Sequence, residues 1–382
     1  MKRVMAVDVM RGLAIVLMVL VNNPGSWQSV YWPLLHAKWH GLTPTDLVFP
    51  FFIFIMGVAM NFAFAHQRMQ QQPPKAIVLS IIKRSAILFA LGLFLALFYV
   101  NTLDPNFSWI EDKLLSIRVM GVLQRLAVVY FVTAFILYKL DIKGQYAALV
   151  VCIGGYWMAM AWLPYHDSQD QVYVGLWEFG NSFSAWIDNA VLGANHVYYP
   201  QAQPFPFDPE GLLSTFPAIG TCLFGVIAGQ WLVSGQSEKN TCGLLFVSGV
   251  VLLVGGLILS LWVPVNKGLW SPSYTVLTAG LAMLLLGVLV FILDIKHHQL
   301  WAKPFVVAGA NSIVFFMLSG ILARIFLMIP VAGVTLKAWL FQQVFSPLAS
   351  PQTASLLFAC CFLLLCYLPV YVMYRKKWFL RV

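Results

Sequence analysis

The residues best suited to chemistry lie in segment 36–46, which joins the first two apolar stretches of the chain. This segment carries two histidines, a lysine and an aspartate: His36, Lys38, His40 and Asp46. Histidine can both take and give a proton near neutral pH. A neighbouring carboxylate can fix its tautomer and stabilise its charged form, as in hydrolase triads. The segment therefore indicates either acid–base chemistry or a solvated loop in which Asp46 caps the next helix.

Two arginines follow in RVMGVLQRLAVVYF, where Arg118 and Arg125 are two helical turns apart and Gln124 lies beside them. A guanidinium deep in an apolar stretch needs a partner, because unpaired charge is costly there. An anion such as phosphate is one partner, since guanidinium binds it in a bidentate manner. Internal pairing with Asp8 or Asp46 is the alternative for Arg125. Asp8 is also three residues from Arg11, so those two are expected to pair on one helix face.

Amide and aromatic side chains also cluster at the ends of apolar stretches. The first stretch ends in VNNPG, which places Asn22 at its outer end. The segment PVNKGLWSPSY, residues 264–274, lies at or near the outer interface. The sequence GANS, residues 309–312, lies at the cytoplasmic end of its span and places Asn311 among small residues that permit close helix packing. The positions at the outer ends predict a polar site in the outer half of a helix bundle; its members from segment 264–274 are Asn266, Lys267, Trp270 and Tyr274.

The composition requires a lipid environment for these elements. Of the 382 residues, 60% are hydrophobic and only 10% are charged. A soluble core of this length cannot bury so much apolar surface, which excludes a large soluble all-α protein. The fold class is therefore all-α, a polytopic integral membrane protein with about ten transmembrane helices. We place the spans near 9–25, 44–66, 79–100, 118–138, 145–164, 211–233, 241–263, 272–294, 305–328 and 353–374. The stretch 331–348 is expected to be interfacial or re-entrant, with an eleventh span as the alternative.

The positive charges orient the chain. With a cytoplasmic N-terminus, most lysines and arginines outside the spans fall in cytoplasmic segments, as the positive-inside rule requires. This arrangement leaves both termini in the cytoplasm, and it makes the net charge of +9 a topology signal rather than evidence of nucleic-acid binding. The basic residues on the cytoplasmic side are Lys2, Arg3, Arg68, Lys75, Lys83, Arg84, Lys139, Lys143, Lys239, Lys296, Lys303, Arg375, Lys376, Lys377 and Arg381.

A long loop, residues 165–210, faces the periplasm in this topology. It contains carboxylates and aromatic rings but no lysine or arginine. Aromatic faces beside carboxylates and amides suit sugar rings and amines, whereas a folded cap resting on the bilayer interface would show the same composition. The six cysteines lie in or beside apolar runs and form no CxxC pair, so neither a disulfide framework nor a metal site is indicated. From the residues alone, an enzyme and a transporter both stay open.

Seven blocks, in one order along the chain, resemble the heparan-α-glucosaminide N-acetyltransferase family of transmembrane acetyltransferases, in its bacterial branch. They are DVMRGLAIVLMVLVN, HAKWHGLTPTDLVFPFFIFIMG, RVMGVLQRLAVVYF, LGANHVYY, FDPEGLLST, PVNKGLWSPSY and GANSIVFF. The resemblance implies a single transmembrane acyltransferase domain over 1–382, without the lumenal N-terminal domain and extra first helix of the animal enzymes. It also implies transfer of an acetyl group from cytosolic acetyl-CoA to the amine of a glucosamine-type sugar.

The resemblance assigns roles to individual residues. The family's active-site histidine matches His36, its asparagine matches Asn22 and its aspartate matches Asp46, whereas His40 stands where animal members have asparagine. His36 is expected to act as general base or as an acetyl relay. The expected contacts of acetyl-CoA are Arg118, Arg125, Gln124, Lys267 and Asn311. The expected contacts of the sugar are Asn266, Trp270, Tyr274, His196, Asp208 and Glu210.

The expected co-substrate is acetyl-CoA, and no metal is expected. The expected location is a bacterial inner membrane. Apolar helix faces rich in Gly and Phe permit a homodimer. Two other functions compete with this one. An inner-membrane sugar or amino-sugar transporter would line an alternating-access route with the same polar residues. An O-acyltransferase of envelope polysaccharide would use a similar site with a hydroxyl acceptor.

Overall fold

The computed structural model describes residues 4–380, apart from the side chain of Arg68. Lys2, Arg3 and Arg381, which entered the charge count, lie outside this range. The chain is an all-α polytopic membrane protein, as its composition predicts. Its helices are α1 (Met5–Val21), α2 (Val48–Met69), α3 (Pro74–Leu97), α4 (Val122–Lys139), α5 (Ile142–Val150), α6 (Tyr156–Trp162), α7 (Phe183–Leu192), α8 (Thr215–Val233), α9 (Glu238–Leu259), α10 (Pro272–Leu289), α11 (Lys303–Ala310), α12 (Ser312–Met328), α13 (Leu336–Leu340) and α14 (Pro351–Arg375).

Short turns connect or extend these helices. The 3-10 turns are Trp32–Leu34, Pro44–Leu47, Ala194–His196, Leu300–Ala302 and Ser346–Leu348. The π turns are Ile110–Leu114, Val151–Gly155, Val290–Ile295 and Phe341–Phe345. Three antiparallel hairpins of two-residue strands complete the fold: β1 (Tyr165–His166) with β2 (Val172–Tyr173), β3 (Trp177–Glu178) with β4 (Asn181–Ser182), and β5 (Pro330–Val331) with β6 (Val334–Thr335).

Within residues 4–380, eight helical stretches are long and apolar enough to cross a membrane, and α5, the π turn Val151–Gly155 and α6 together form one of them. The pair α11–α12, which is bent by 71°, makes a ninth if it is counted as one span. They correspond to nine of the ten predicted spans. The remaining span corresponds to α1, whose 17 residues are at the lower limit for a crossing. The count of ten therefore stays a prediction. In segment 331–348, α13 and the two turns that follow it form one helical stretch over residues 336–348, which is too short to form an eleventh span.

The ends of the bundle can be told apart from contacts. Met5 of α1 and Tyr374 of α14 line one small cavity, so the two ends of the described chain lie at the same end of the bundle. Two cytoplasmic termini require this arrangement, although the side of the membrane that this end faces stays a prediction. The predicted pair Asp8–Arg11 lies there, with 3.7 Å between Oδ1 and Nη1. We call this the terminal end, and the opposite end the site end.

Glycines permit close contact between the elements that support the site. A Cβ on Gly12 would lie 1.8 Å from the carbonyl oxygen of Phe305, and one on Gly309 would lie 2.5 Å from that of Asp8. Gly309 of GANS and Gly12 of α1 thus allow α11 to pack directly on α1; close packing at GANS was predicted, whereas its partner helix was not. The main core consists of apolar side chains from α1, α2, α4, α8, α10 and α14. A second core under the site end joins α6 to segment 165–210, and Tyr165, Phe183, Phe205, Phe207 and Leu269 are buried in it.

Candidate functional site

His36 and Asp46 form a close pair at the site end. Nδ1 of His36 lies 2.7 Å from Oδ1 of Asp46. The His36 side chain is 43% exposed, whereas the Asp46 side chain is 1% exposed. Because a carboxylate only accepts hydrogen bonds, Nδ1 is the donor to Asp46, and in the neutral imidazole Nε2 then has the lone pair. The pair has the geometry in which a carboxylate orients a basic imidazole.

Asp46 also belongs to the start of a helix. The N-cap of turn Pro44–Leu47 is Thr43, and Asp46 is the third residue of the turn in a capping box. Its Oδ2 accepts the backbone N–H of Thr43 at 3.0 Å and that of Ala37 at 3.1 Å. The expected N-cap role of Asp46 is therefore corrected to that of the capping-box carboxylate. Tyr274 also holds Asp46 in place, because its hydroxyl donates to the backbone oxygen of Asp46 at 2.6 Å.

Lys267 is the third charged group of this cluster. Its Nζ lies 3.1 Å from Nδ1 and 3.2 Å from Nε2 of His36, and 3.7 Å from Oδ1 of Asp46. Burial lowers the pKa of Lys267 below its ordinary value, and the charges of Asp46 and Glu210 offset this only in part. The lysine lies directly against the imidazole, although its predicted partner was a phosphate of coenzyme A.

Asn266 joins the two loops that carry these groups. Its amide Nδ2 donates to the backbone oxygen of Trp39 at 3.0 Å and lies 3.3 Å from Nδ1 of His40. Its Oδ1 accepts the backbone N–H of Leu269 at 2.8 Å. Because Asn266 is fully buried and makes these internal contacts, it holds loop 36–40 against loop 264–271. The indole N–H of Trp39 donates to Trp177, which ties the same loop to the segment above it.

Trp270 and Arg125 stack beneath the cluster. The Arg125 guanidinium lies 5.1 Å from the ring centroid of Trp270, and both side chains are at most 1% exposed. Nη2 of Arg125 donates to Gly211 and to the hydroxyl of Ser214, whereas Nε and Nη1 have no hydrogen-bond partner within the described residues. Neither Asp8 nor Asp46 is a described hydrogen-bond partner of Arg125. Trp270 is used internally as well, since its indole N–H donates to Thr221.

Arg118 is the centre of a second charge cluster. Its Nε and Nη2 donate to the two carboxylate oxygens of Asp208 at 2.7 and 2.6 Å, and Nη2 also donates to Glu210. These bonds raise the pKa of Arg118 despite its burial. Burial raises the pKa of Asp208, whereas Glu210 has a lowered pKa because the charges of Arg118, Arg125 and Lys267 outweigh its burial.

The structure corrects one expectation about this segment. Arg118 and Arg125 were predicted on one helix face, but α4 begins only at Val122. Residues 118–121 stay outside the helix, where the loop holds them: the backbone N–H of Val119 donates to His196 at 3.2 Å, and Nδ1 of His196 lies 2.8 Å from the oxygen of Ile117. His196 therefore positions Arg118.

Asp188 lies below this second cluster and was not predicted as a site residue. It is fully buried, and it accepts the backbone N–H of Leu212 at 2.8 Å and that of Asp208 at 3.3 Å. Burial raises the pKa of Asp188 to about 7. Gly211 must be glycine here, because a Cβ would lie 2.0 Å from Oδ2 of Asp188.

A cavity of about 500 Å³ opens beside Arg118. It is formed by α1, α3, α4 and α12, and Asn22 and Gln124 line it. Two cations that the sequence analysis did not assign to the site, Lys113 and Arg324, line it as well. Lys113 lies on the π turn Ile110–Leu114 and Arg324 lies on α12, far apart in the sequence, so local patterns did not predict that they share one cavity. The cavity is thus rich in positive charge and amide groups.

The predicted site residues thus fall into four places. His36, Asp46, Lys267, Asn266 and Tyr274 meet in the first cluster. Those that belong to the second cluster or line the cavity are Arg118, Asp208, Glu210, His196, Asn22 and Gln124, while Arg125 and Trp270 lie buried beneath. Asn311 lies apart at the terminal end, where its amide donates to Trp378 and its Oδ1 accepts from Leu380. No group of three or more His, Cys, Asp or Glu side chains in residues 4–380 is arranged to hold a metal ion.

Comparison with known proteins gives consistent matches. A family model described as a domain of unknown function (DUF5009) matches residues 3–178. Human heparan-alpha-glucosaminide N-acetyltransferase is 30% identical over 364 residues, which cover 82% of this chain and 52% of the human protein. The mouse protein of the same name is 30% identical over 365 residues, which cover 82% of this chain and 53% of the mouse protein. The chain spans about half the length of these curated relatives.

Proposed function

Because this chain belongs to the heparan-alpha-glucosaminide N-acetyltransferase family, we propose that it is a transmembrane N-acetyltransferase that uses acetyl-CoA. The proposed acceptor is the amine of a glucosamine-type sugar at or near the periplasmic face of a bacterial inner membrane. The proposed active unit is a single transmembrane acyltransferase domain over residues 1–382. The observation that carries this proposal is the pair His36–Asp46, 2.7 Å apart, with the imidazole exposed and the carboxylate buried.

The pair suits the proton that this reaction must move. A sugar amine attacks a thioester only as the free base, so its ammonium form must lose a proton. With Nδ1 donating to Asp46, the Nε2 lone pair of His36 is the base that takes this proton or the nucleophile that takes the acetyl group first. The exposed ring lets an acceptor approach from outside. Asn22, matched to the family asparagine, is the proposed donor to the oxyanion.

The cavity beside Arg118 suits the anionic part of acetyl-CoA. Coenzyme A carries several phosphate charges, and cations with amides are the groups that bind phosphate. We assign Arg118, Gln124, Lys113 and Arg324 to this contact on the basis of their place in the cavity wall. Of the other predicted contacts, Lys267 is assigned to the pair His36–Asp46, Arg125 to the support beneath it, and Asn311 stays a prediction.

The acceptor is proposed to bind on the exposed side of His36, under segment 165–210. Tyr198 and Phe179 of this segment are exposed aromatic side chains, and a ring face suits a sugar. The predicted contacts Asn266, Trp270 and Tyr274 are buried with internal partners, so their contribution is to hold the loops. Asp208, Glu210 and His196 likewise have internal partners, and their contribution is to hold Arg118 in position. A homodimer stays a prediction.

The decisive experiment measures product with a matched pair of histidine variants. Purified full-length protein receives labelled acetyl-CoA and glucosamine, and N-acetylglucosamine is quantified. His36→Ala should lose roughly 100-fold or more of the turnover, which is the contribution of a general base. His40→Ala should keep most of it, because the described contacts of His40 are with Asn266 and Trp39 and not with the pair His36–Asp46.

The same preparation separates the competing functions. Undiminished product with His36→Ala would remove this histidine from the mechanism. Product only with a polysaccharide hydroxyl would favour the O-acyltransferase. Sugar flux into liposomes without any acetylated product would favour the transporter.

A further inference from the structure

Lys267 places a primary amine where an acceptor amine must lie. Its Nζ is 3.2 Å from Nε2 of His36, the nitrogen that keeps its lone pair. A general base takes a proton from a group within about 2.6–3.2 Å. The chain's own amine therefore lies within the distance for giving a proton to His36, a condition that the sugar amine must also meet.

We propose that Lys267 is a self-acetylation site, modified on Nζ by the acetyl-CoA chemistry of its own site when no sugar amine occupies the place beside His36. This inference rests on the proposed function, because it needs an acetyl donor. It extends that function to a covalent modification of the protein.

The surroundings of Lys267 favour the reactive form of the amine. Only an uncharged amine has the lone pair that attacks a carbonyl carbon. Burial lowers the pKa of Lys267, so a larger fraction of the side chain is uncharged near neutral pH than for an exposed lysine. Asp46, 3.7 Å away, acts against this through its charge. The side chain is still 23% exposed, which leaves it open to the place from which a substrate approaches.

The step balances without any further reactant. The Lys267 ammonium first releases a proton to water, and the free Nζ attacks the carbonyl carbon of acetyl-CoA. The Nζ–C bond forms and the C–S bond breaks. The surplus proton of the amine passes to Nε2 of His36 and then to the departing thiolate, which leaves as coenzyme A. If His36 is acetylated first, the same amine attacks that acetyl group and the bond to Nε2 breaks instead.

The product would block the site. An acetamide carries no charge, so acetylated Lys267 cannot pair with Asp46. Its added acetyl group would also fill the place beside His36 that the sugar amine needs. A sugar acceptor that binds there should therefore slow the modification, and modified molecules should lose turnover.

The test uses the full-length protein in detergent with ¹³C-labelled acetyl-CoA and no sugar, followed by peptide mass spectrometry. Lys38 is the internal control, because it is exposed on the same loop as His36 and reports acetylation that needs no catalyst. The label should appear on Lys267 well before Lys38. It should appear about 100-fold more slowly in His36→Gln, which removes the base. Excess glucosamine should slow labelling of Lys267 and leave Lys38 unchanged.

The outcomes separate this inference from the proposed function. Equal labelling of Lys267 and Lys38, or labelling of Lys267 that His36→Gln does not slow, overturns the inference. No label on Lys267 in protein that converts glucosamine to product overturns the inference and leaves the function standing. Neither label nor product with any amino sugar overturns both. Because the comparison of Lys267 with Lys38 is made within native protein, it holds even if His36→Gln fails to fold.

Discussion

The substitution Asp46→Asn isolates the role of the carboxylate that faces His36. In the native protein, Oδ1 faces Nδ1 of His36 while Oδ2 accepts the backbone N–H groups of Thr43 and Ala37. Asparagine has one acceptor oxygen. If this oxygen stays on the two backbone groups, the NH₂ group faces Nδ1.

Two donors cannot share a hydrogen bond, so the imidazole must move its proton to Nε2. The nitrogen that would receive the amine proton is then blocked, as when the triad aspartate of a serine protease is replaced by asparagine. We expect kcat to fall by roughly 10²–10⁴-fold, the contribution of a general base. This corresponds to roughly 3–5 kcal/mol in the barrier. KM for acetyl-CoA should change little, because the substitution leaves the cavity beside Arg118 intact.

The assay is steady-state formation of N-acetylglucosamine, with the unfolding temperature measured on the same preparations. Asp141→Asn is the matched control. Asp141 is the N-cap of α5, where its Oδ1 accepts the backbone N–H of Gly144 at 2.8 Å, and asparagine caps a helix equally well. The control should keep native kcat and native stability. If Asp46→Asn lowers kcat by less than about tenfold, or only in proportion to lost folded protein, the orienting role is refuted and only the capping box is left.

Three further substitutions test the surroundings of the site. Asp188→Asn should reduce the gain in stability that the native protein shows on acidification. Burial raises the pKa of Asp188 from 3.8 to about 7, so the folded state binds this proton more tightly than the unfolded state does. The native protein therefore loses stability as pH rises from about 4 to 7. Unfolding temperatures across that range give the slope, and an unchanged slope would exclude Asp188 as its source. Gly211→Ala should cost about 1–3 kcal/mol through the clash with Asp188. Gly154→Ala, which meets open space, should not destabilise, and equal thermal shifts for the two would contradict the close contact. Arg324→Gln should raise KM for acetyl-CoA roughly tenfold or more with kcat retained, since a charged hydrogen bond contributes about 1.5–3 kcal/mol. Arg375→Gln at the terminal end is its control, and equal KM values would remove Arg324 from the phosphate contact.

Local sequence patterns predicted those features whose causes are local. Long apolar runs gave the helices, and the small residues of GANS gave the close packing at that segment, because length and side-chain volume alone decide both. The pairing of Asp8 with Arg11 followed from helix periodicity. The helix start at Val122 did not, since residues 118–121 are held outside the helix by His196 from a distant loop.

The site shows the same division. His36 and Asp46 were considered together because both lie in one polar segment, but the separation of ten residues did not decide whether they meet, and the family resemblance favoured the pair. The contact of Lys267 with His36 depends on Asn266, a buried amide whose partners lie in another loop, and no spacing rule reaches that far. Buried polar residues also look alike in sequence whether they bind a ligand or another part of the chain. Trp270 and Tyr274 were therefore predicted as sugar contacts, and their described partners are Thr221 and Asp46.

The distance along the chain between the partners has a consequence for biosynthesis. His36 leaves the ribosome early, and Lys267 follows 231 residues later. At about 5–20 residues per second, the histidine and its carboxylate wait roughly 10–50 s before their third partner is made. During that interval the first helices are already in the membrane, while the loop that clamps residues 36–40 does not yet exist. A nascent chain therefore carries the residues for the reaction long before it holds them in place, and the site matures only after α9 has been synthesised.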